Sequence, residues 1–186
     1  MNLETAIAIG NTELKKKKIK SSMLDCEILM SKVMNNTREF IILNLKKKIK
    51  KSNYNHFKKL VYERLKGKPI AYITGKKYFW KYEFEINEDV LIPRPDTEII
   101  IEQVFNIFKN KSRINFLDIG VGSGCILLSI LKEKKNYLGT GIDMSNECVK
   151  LSKINANNLG VNNRVKILKS NVDNFNFGKY DLIISN

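Results

Sequence analysis

The chain has 186 residues, 43% of them apolar and 28% charged, with a formal net charge of +14. That size and balance suit one globular domain, or a small domain joined to part of another, and exclude a fibre or a disordered tail. No run approaches the roughly 18 apolar residues of a membrane span, the amino terminus carries no secretory pattern, and Cys26, Cys125, Cys148 and the single His56 lack zinc-site spacing, so a reducing cytoplasm is expected.

Residues 2 to about 66 read as short helices. Leu3, Ile7 and Leu14 recur at helical spacing, as do Leu24, Ile28, Leu29 and Val33, with cap or break points at Ser21-Ser22 and Asn35-Asn36-Thr37. Phe40 to Leu45 and Asn53 to Lys66 complete a small helical bundle that Gly67 is expected to close. Residues 1–81 hold 20 basic and 6 acidic side chains, whereas residues 82–186 hold 13 of each. Such an excess raises nucleic acid as a partner. Only 5 of the 33 cations are arginine, however, and arginine is the side chain that reads bases and phosphates bidentately. A solvated lysine surface is the favoured reading, and nucleic acid is not the expected partner.

The next stretch, GKPIAYITGKKYFWKYEFEINEDVLIPRPDTE, changes character. Alternation of Tyr78, Trp80, Tyr82 and Phe84 predicts a strand or hairpin whose aromatics pack rather than stack bases. Pro93 and Pro95 exclude an interior strand, and Asp96 and Glu98 suit the first turn of a helix running to about Lys109.

From Asn115 the pattern is strand, helix, strand, helix, strand, strand. Strands are expected at 116–119, 137–142, 165–168 and 180–184, and helices at 125–131 and 146–159, the second stopped by Gly160. Alternation of this kind predicts a parallel, doubly wound sheet. The strongest local signal is LDIGVGSG at 117–124, a strand that ends in Gly120-Val121-Gly122-Ser123-Gly124 and opens into a helix. Glycines there let backbone approach a ligand, with amide donors expected to face it. Cys125 stands where a dinucleotide-binding loop would carry its last glycine, so the spacing instead resembles the S-adenosylmethionine loop of Rossmann-like methyltransferases. Asp143 ends the second strand, where a carboxylate can accept ribose hydroxyl hydrogen bonds.

Taken with VLIPRPDTE at 90–98, NANNLG at 155–160 and the terminal LIISN, these motifs give the whole chain a resemblance to the HemK/PrmC family, whose members methylate the GGQ glutamine of peptide chain release factors. The resemblance implies a helical substrate-docking domain over 1–68, a hairpin linker over 69–95, and an incomplete Rossmann-like methyltransferase domain of about four parallel strands over 96–186. It implies S-adenosyl-L-methionine as cofactor, bound by Gly120, Val121, Gly122, Ser123, Gly124, Asp143, Asn171, Val172 and Asn186. Asn186, as the first residue of the family's NPPY motif, would be the catalytic and substrate-binding residue. Family members commonly carry Asp where Asn171 stands and an aromatic where Val172 stands, which leaves open how tightly adenine is held. The implied partner is a release factor, the full-length protein is expected to be a monomer, and this stretch alone is expected to be inactive because its acceptor motif stops at Asn186. Two other readings stay open: an adenine amino methyltransferase acting on DNA or RNA, which shares the N-P-P-[YF] signature, and a non-catalytic basic module that docks on RNA or the ribosome.

Overall fold

Helix α1 (Leu3–Lys16) begins where Asn2 places its side-chain oxygen 2.9 Å from the Thr5 N–H, which satisfies one of the donors a helix start leaves unpaired. In the same first turn, the Leu3 and Glu4 amides donate to the Lys47 and Leu45 carbonyls. A computed structural model describes all 186 residues and divides them into two compact units, Met1–Thr74 and Gly75–Asn186.

In the first unit α1 is followed by α2 (Ser22–Met34), α3 (Arg38–Leu43), α4 (Lys51–Leu65) and α5 (Ile70–Thr74). Leu3, Ile7, Leu14, Cys26, Leu29, Met30, Ile41, Phe57 and Val61 form its core. Gly10 is what allows the close crossing, because a Cβ there would stand 2.9 Å from the Phe57 ring and 3.0 Å from Cys26 Sγ. Asp25, itself buried, accepts a 2.7 Å hydrogen bond from Arg64 Nε and so joins α2 to α4. Two expectations change here. Ser21 precedes α2 but makes no side-chain cap bond; Ser22 instead donates to Asn11 Oδ1 at 2.7 Å. Gly67 also does not close the helices, since the Tyr72 and Ile73 amides donate to the Pro69 carbonyl and start α5. Proline suits that position because it needs no donor of its own.

The second unit opens with a hairpin of β1 (Lys76–Phe79) and β2 (Tyr82–Glu85), paired antiparallel with Phe79 opposite Tyr82. Trp80 in the turn takes φ +55, a conformation that side chains other than Gly, Asn and Asp rarely adopt. It is held there by neighbours. Its backbone N–H donates to Glu98 Oε1 at 2.7 Å and its indole N–H to Glu133 Oε1 at 2.9 Å. The Tyr82 hydroxyl donates to that same Glu133 oxygen, and the Lys81 ammonium lies 3.0 Å from it. Burial opposes ionisation of Glu133, but donors from Lys81, Trp80 and Tyr82 outweigh it and hold the carboxyl below its usual range. Phe79 and Phe84 meet edge to face and are fully buried, while Tyr78 points to solvent.

A short 3-10 turn at Pro95–Thr97 leads into α6 (Glu98–Ile107). Then follow β3 (Asn115–Ile119), α7 (Cys125–Glu133), β4 (Leu138–Asp143), α8 (Asn146–Leu159), β5 (Val165–Lys169) and β6 (Leu182–Ser185). The four strands pair in parallel in the order β5-β4-β3-β6. Gly139 and Gly141 leave β4 bare toward α7; a Cβ on either would fall within 2.8 Å of Leu127. This lets α7 bury Ile126, Leu127, Leu128, Ile130 and Leu131 together. Gly160 ends α8 at φ +68, as its position in the sequence predicts. The consequence for function is positional: the loops after β3, β4, β5 and β6 all emerge at the carboxyl end of one parallel sheet, where ligands bind in open α/β folds.

Candidate cofactor and acceptor site

The loop after β3 turns through three glycines with positive φ, +76 at Gly120, +53 at Gly122 and +82 at Gly124. A side chain would strain each position, yet their surroundings differ. A Cβ at Gly124 would stand 2.7 Å from Leu128 Cδ1 and 3.3 Å from Ser152 Cβ, so this glycine seals the loop against α7 and α8. A Cβ at Gly120 would meet nothing within 4 Å, and one at Gly122 only the Gly120 carbonyl at 3.9 Å. Gly120 and Gly122 therefore border open space.

The loop amides are arranged differently from the expectation. Gly120 and Val121 both donate to the Ile142 carbonyl at 2.9 Å, Gly122 donates to Asp143 Oδ2 at 2.9 Å, and Gly124 to the Val121 carbonyl at 2.8 Å. The first three donors tie the loop to the end of β4 and the fourth closes a turn within the loop, because a backbone folded this closely must pair its own polar groups. At Gly120 and Gly122 the loop offers a ligand clearance, not free amide donors.

Asp143 is fixed by the same network. Oδ2 accepts from Gly122 and Oδ1 accepts from the Ser145 N–H at 2.9 Å. Each carboxylate oxygen has two acceptor sites, so both keep capacity for a further donor such as a ribose hydroxyl. The Ser170 N–H donates to the Asp143 carbonyl, which brings the 170–172 loop beside it. Asn171 turns its Oδ1 back to the Asn174 N–H, and Val172 is 56% exposed. Asn186 follows β6, whose Ser185 lies opposite Ile119 in register, and its Nδ2 donates to Thr97 Oγ1 at 3.2 Å. The structure thus gathers Gly120 to Gly124, Asp143, Asn171, Val172 and Asn186 at one end of the sheet. A separate hollow of about 940 Å³, bordered by Arg113, Leu138, Val165, Phe175 and Tyr180, opens at the other end and includes none of them.

Two residues of this region carry no role in the sequence reading. Asp118 lies in β3 beneath the loop, 2% exposed. Burial pushes its carboxyl up to about 7; a hydrogen bond from the Leu127 backbone opposes the shift and the Asp143 charge adds to it. A lone acid inside an apolar strand that feeds a glycine loop was the available signal. Thr97 lies within the VLIPRPDTE motif, but its partner is 89 residues away and no local pattern announces it. The cysteines are not poised as nucleophiles: burial pushes the Cys26 and Cys125 thiols up to about 12 and raises that of Cys148.

A glycine-turned loop and a clamped acid at the carboxyl ends of adjacent parallel strands define a Rossmann-like methyltransferase fold. Residues 5–75 match the PrmC N-terminal domain and residues 97–186 match the methyltransferase small domain. The chain thus carries a PrmC-type N-terminal domain followed by a methyltransferase small domain. A release factor glutamine methyltransferase from Leptospira interrogans is 38% identical, with 93% of this chain aligned to 62% of that protein. One from Caulobacter vibrioides is 30% identical over 100% of this chain and 65% of its own length. A bifunctional methyltransferase from Rickettsia conorii is 32% identical over 100% of this chain and 40% of its own length. The chain therefore spans about two fifths to two thirds of the length of these curated relatives. Among solved structures, a SAM-dependent methyltransferase from Thiobacillus denitrificans in complex with S-adenosyl-L-homocysteine superimposes with a TM-score of 0.41 at 26% identity, over 46% of this chain and 34% of that one. No helix is long and apolar enough to cross a membrane.

Proposed function

We propose that residues 96–186 bind S-adenosylmethionine and serve an enzyme that methylates the side-chain amide nitrogen of the GGQ glutamine of peptide chain release factors. The observation that carries this reading is the clamp on Asp143, which fixes a carboxylate beside the open space at Gly120 and Gly122. In this reading Asp143 accepts hydrogen bonds from the ribose, Gly120 and Gly122 give the cofactor room, and Asn171 and Val172 flank the adenine. The bound cofactor supplies a methyl group already activated by its sulfonium charge.

The acceptor presents a different problem. An amide nitrogen is a weak nucleophile because its lone pair is delocalised into the carbonyl. Asn186 answers by position: with Nδ2 engaged by Thr97, its Oδ1 is left to accept one N–H of the glutamine amide and aim the nitrogen at the methyl group. No histidine base is required, and His56 lies in the other unit. The helical unit and the hairpin region are read as a substrate-docking domain over 1–68 and a linker over 69–95. The cationic excess of residues 1–81 would speed association with an acidic protein face. Nucleic acid is not part of this reading, and the complete protein is taken to act as a monomer in the cytoplasm.

Calorimetric titration of the chain with S-adenosyl-L-homocysteine tests the cofactor half, with one-to-one binding expected. Methyl transfer by the full-length protein from labelled cofactor to a release factor, and to its GGQ glutamine-to-alanine variant, tests the acceptor half. Label on the alanine variant, or on RNA or DNA in place of the protein, would overturn the assignment.

A further inference from the structure

Asn155 lies in α8 and is 1% exposed, yet it makes no bond within its own helix that would account for a buried amide there. Its Oδ1 accepts the Glu85 N–H at 2.8 Å, and its Nδ2 donates to the Glu85 carbonyl at 3.1 Å and to the Ser123 carbonyl at 2.9 Å. The first two bonds reproduce what a neighbouring strand would offer the free edge of β2, whose other edge pairs with β1. The third reaches the glycine loop. Both N–H donors of the amide are thereby used, one on the hairpin and one on the loop. Ser152, one turn earlier on α8, lies where Gly124 leaves space for it, which brings α8 close enough for Asn155 to reach Ser123.

We propose that Asn155 is a positioning residue for the cofactor loop: by holding the Ser123 carbonyl and both backbone groups of Glu85, it sets the second half of the loop from the hairpin. It acts on the cofactor only through the loop, and the proposal rests on the reading of residues 120–124 as the cofactor site. A buried amide with three partners 32 to 70 residues away is an expensive group to place in a core unless all three are met. Alanine leaves two carbonyls and one N–H without their partner. Aspartate keeps the acceptor for the Glu85 N–H and loses the donors to both carbonyls.

The test compares wild type, Asn155→Ala, Asn155→Asp and Val161→Ala, the last a core truncation beyond the far end of α8 that serves as a stability control. Two quantities are read below the melting transition: affinity for S-adenosyl-L-homocysteine by calorimetry, and amide exchange of the free protein. Both Asn155 variants are expected to weaken binding about tenfold, about 1.4 kcal/mol. They should accelerate exchange selectively at 120–124 and 82–86, while Val161→Ala leaves affinity unchanged. If Asn155→Ala does not fold, Asn155→Asp carries the same two readouts. Uniform acceleration of exchange with unaltered affinity would reduce Asn155 to a stability role and overturn the proposal. A wild type that fails to bind would overturn the cofactor reading itself, whereas wild-type binding matched by both variants would overturn this proposal alone.

Discussion

The Asn186 amide is oriented by Thr97, whose hydroxyl accepts from Nδ2 at 3.2 Å across 89 residues of sequence. Thr97 is 9% exposed and sits at the end of the Pro95–Thr97 turn, where its own N–H donates to the Arg94 carbonyl. A threonine fixed this way decides which end of the Asn186 side chain faces outward. On the proposed acceptor reading, Thr97→Val in the full-length protein removes the acceptor at nearly constant shape and is expected to lower methyl transfer to release factor about tenfold, roughly the loss of one hydrogen bond. Thr97→Ser should restore most of the rate, and cofactor affinity should be the same in all three. A Val variant at full rate would mean that Asn186 needs no such guide.

Asp143→Ala is expected to weaken S-adenosyl-L-homocysteine binding at least thirtyfold. Two effects combine: on the proposed reading the ribose loses charge-assisted hydrogen bonds of roughly 1.5–3 kcal/mol each, and the Gly122 and Ser145 amides lose the carboxylate that now anchors them. Asp143→Asn separates the two, since its amide keeps one acceptor oxygen but loses the charge. Calorimetry on the three proteins checks this. Equal affinities would leave Asp143 as a loop anchor only.

The three loop glycines should respond differently to alanine. Gly124→Ala combines positive φ with a Cβ placed 2.7 Å from Leu128 Cδ1, a side chain with 0% exposure. Strain of about 1–2 kcal/mol and overpacking of about 1–3 kcal/mol then add. Gly120→Ala carries the strain alone, because its Cβ points into open space. Urea unfolding should therefore show the larger loss for Gly124→Ala, whereas binding relative to stability should suffer more in Gly120→Ala. Equal unfolding midpoints would contradict the packing role of Gly124.

The framework of this site was legible where the signal was local. Leu117 to Gly124 announces a strand, a tight loop and a helix; Gly160 announces a stop; and the observed boundaries of α8 coincide with the expected ones. What stayed hidden depends on partners distant in sequence. Nothing around Ser123 reveals that Asn155 meets it, and nothing in the loop reveals that Ile142 takes two of its amides. Helix α5 escaped for another reason: five residues between Lys68-Pro69 and Gly75 are too few to show a 3.6-residue period.

Asp118 gives the last prediction, a pH dependence with a definite sign. Its carboxyl is raised from 3.8 to about 7 by burial, with Leu127 and Asp143 acting in opposite directions. Between those values the folded protein holds a proton that the unfolded chain has released, so folding stability falls as pH rises. The contribution is fully present below about pH 4, declines toward about pH 7, and amounts to roughly 4 kcal/mol at its limit, taking 1.36 kcal/mol per unit. Glu133 and Glu39, whose carboxyls are held below their usual range, act in the opposite sense, favouring the fold above their unfolded value and losing that support as pH falls. The informative quantity is therefore the difference between wild type and Asp118→Asn, which keeps the shape and cannot ionise. Wild-type stability relative to the variant should drop steadily from pH 4 to pH 7.5 in urea titrations. A flat difference across that range would mean that Asp118 ionises as freely in the folded chain as in the unfolded one.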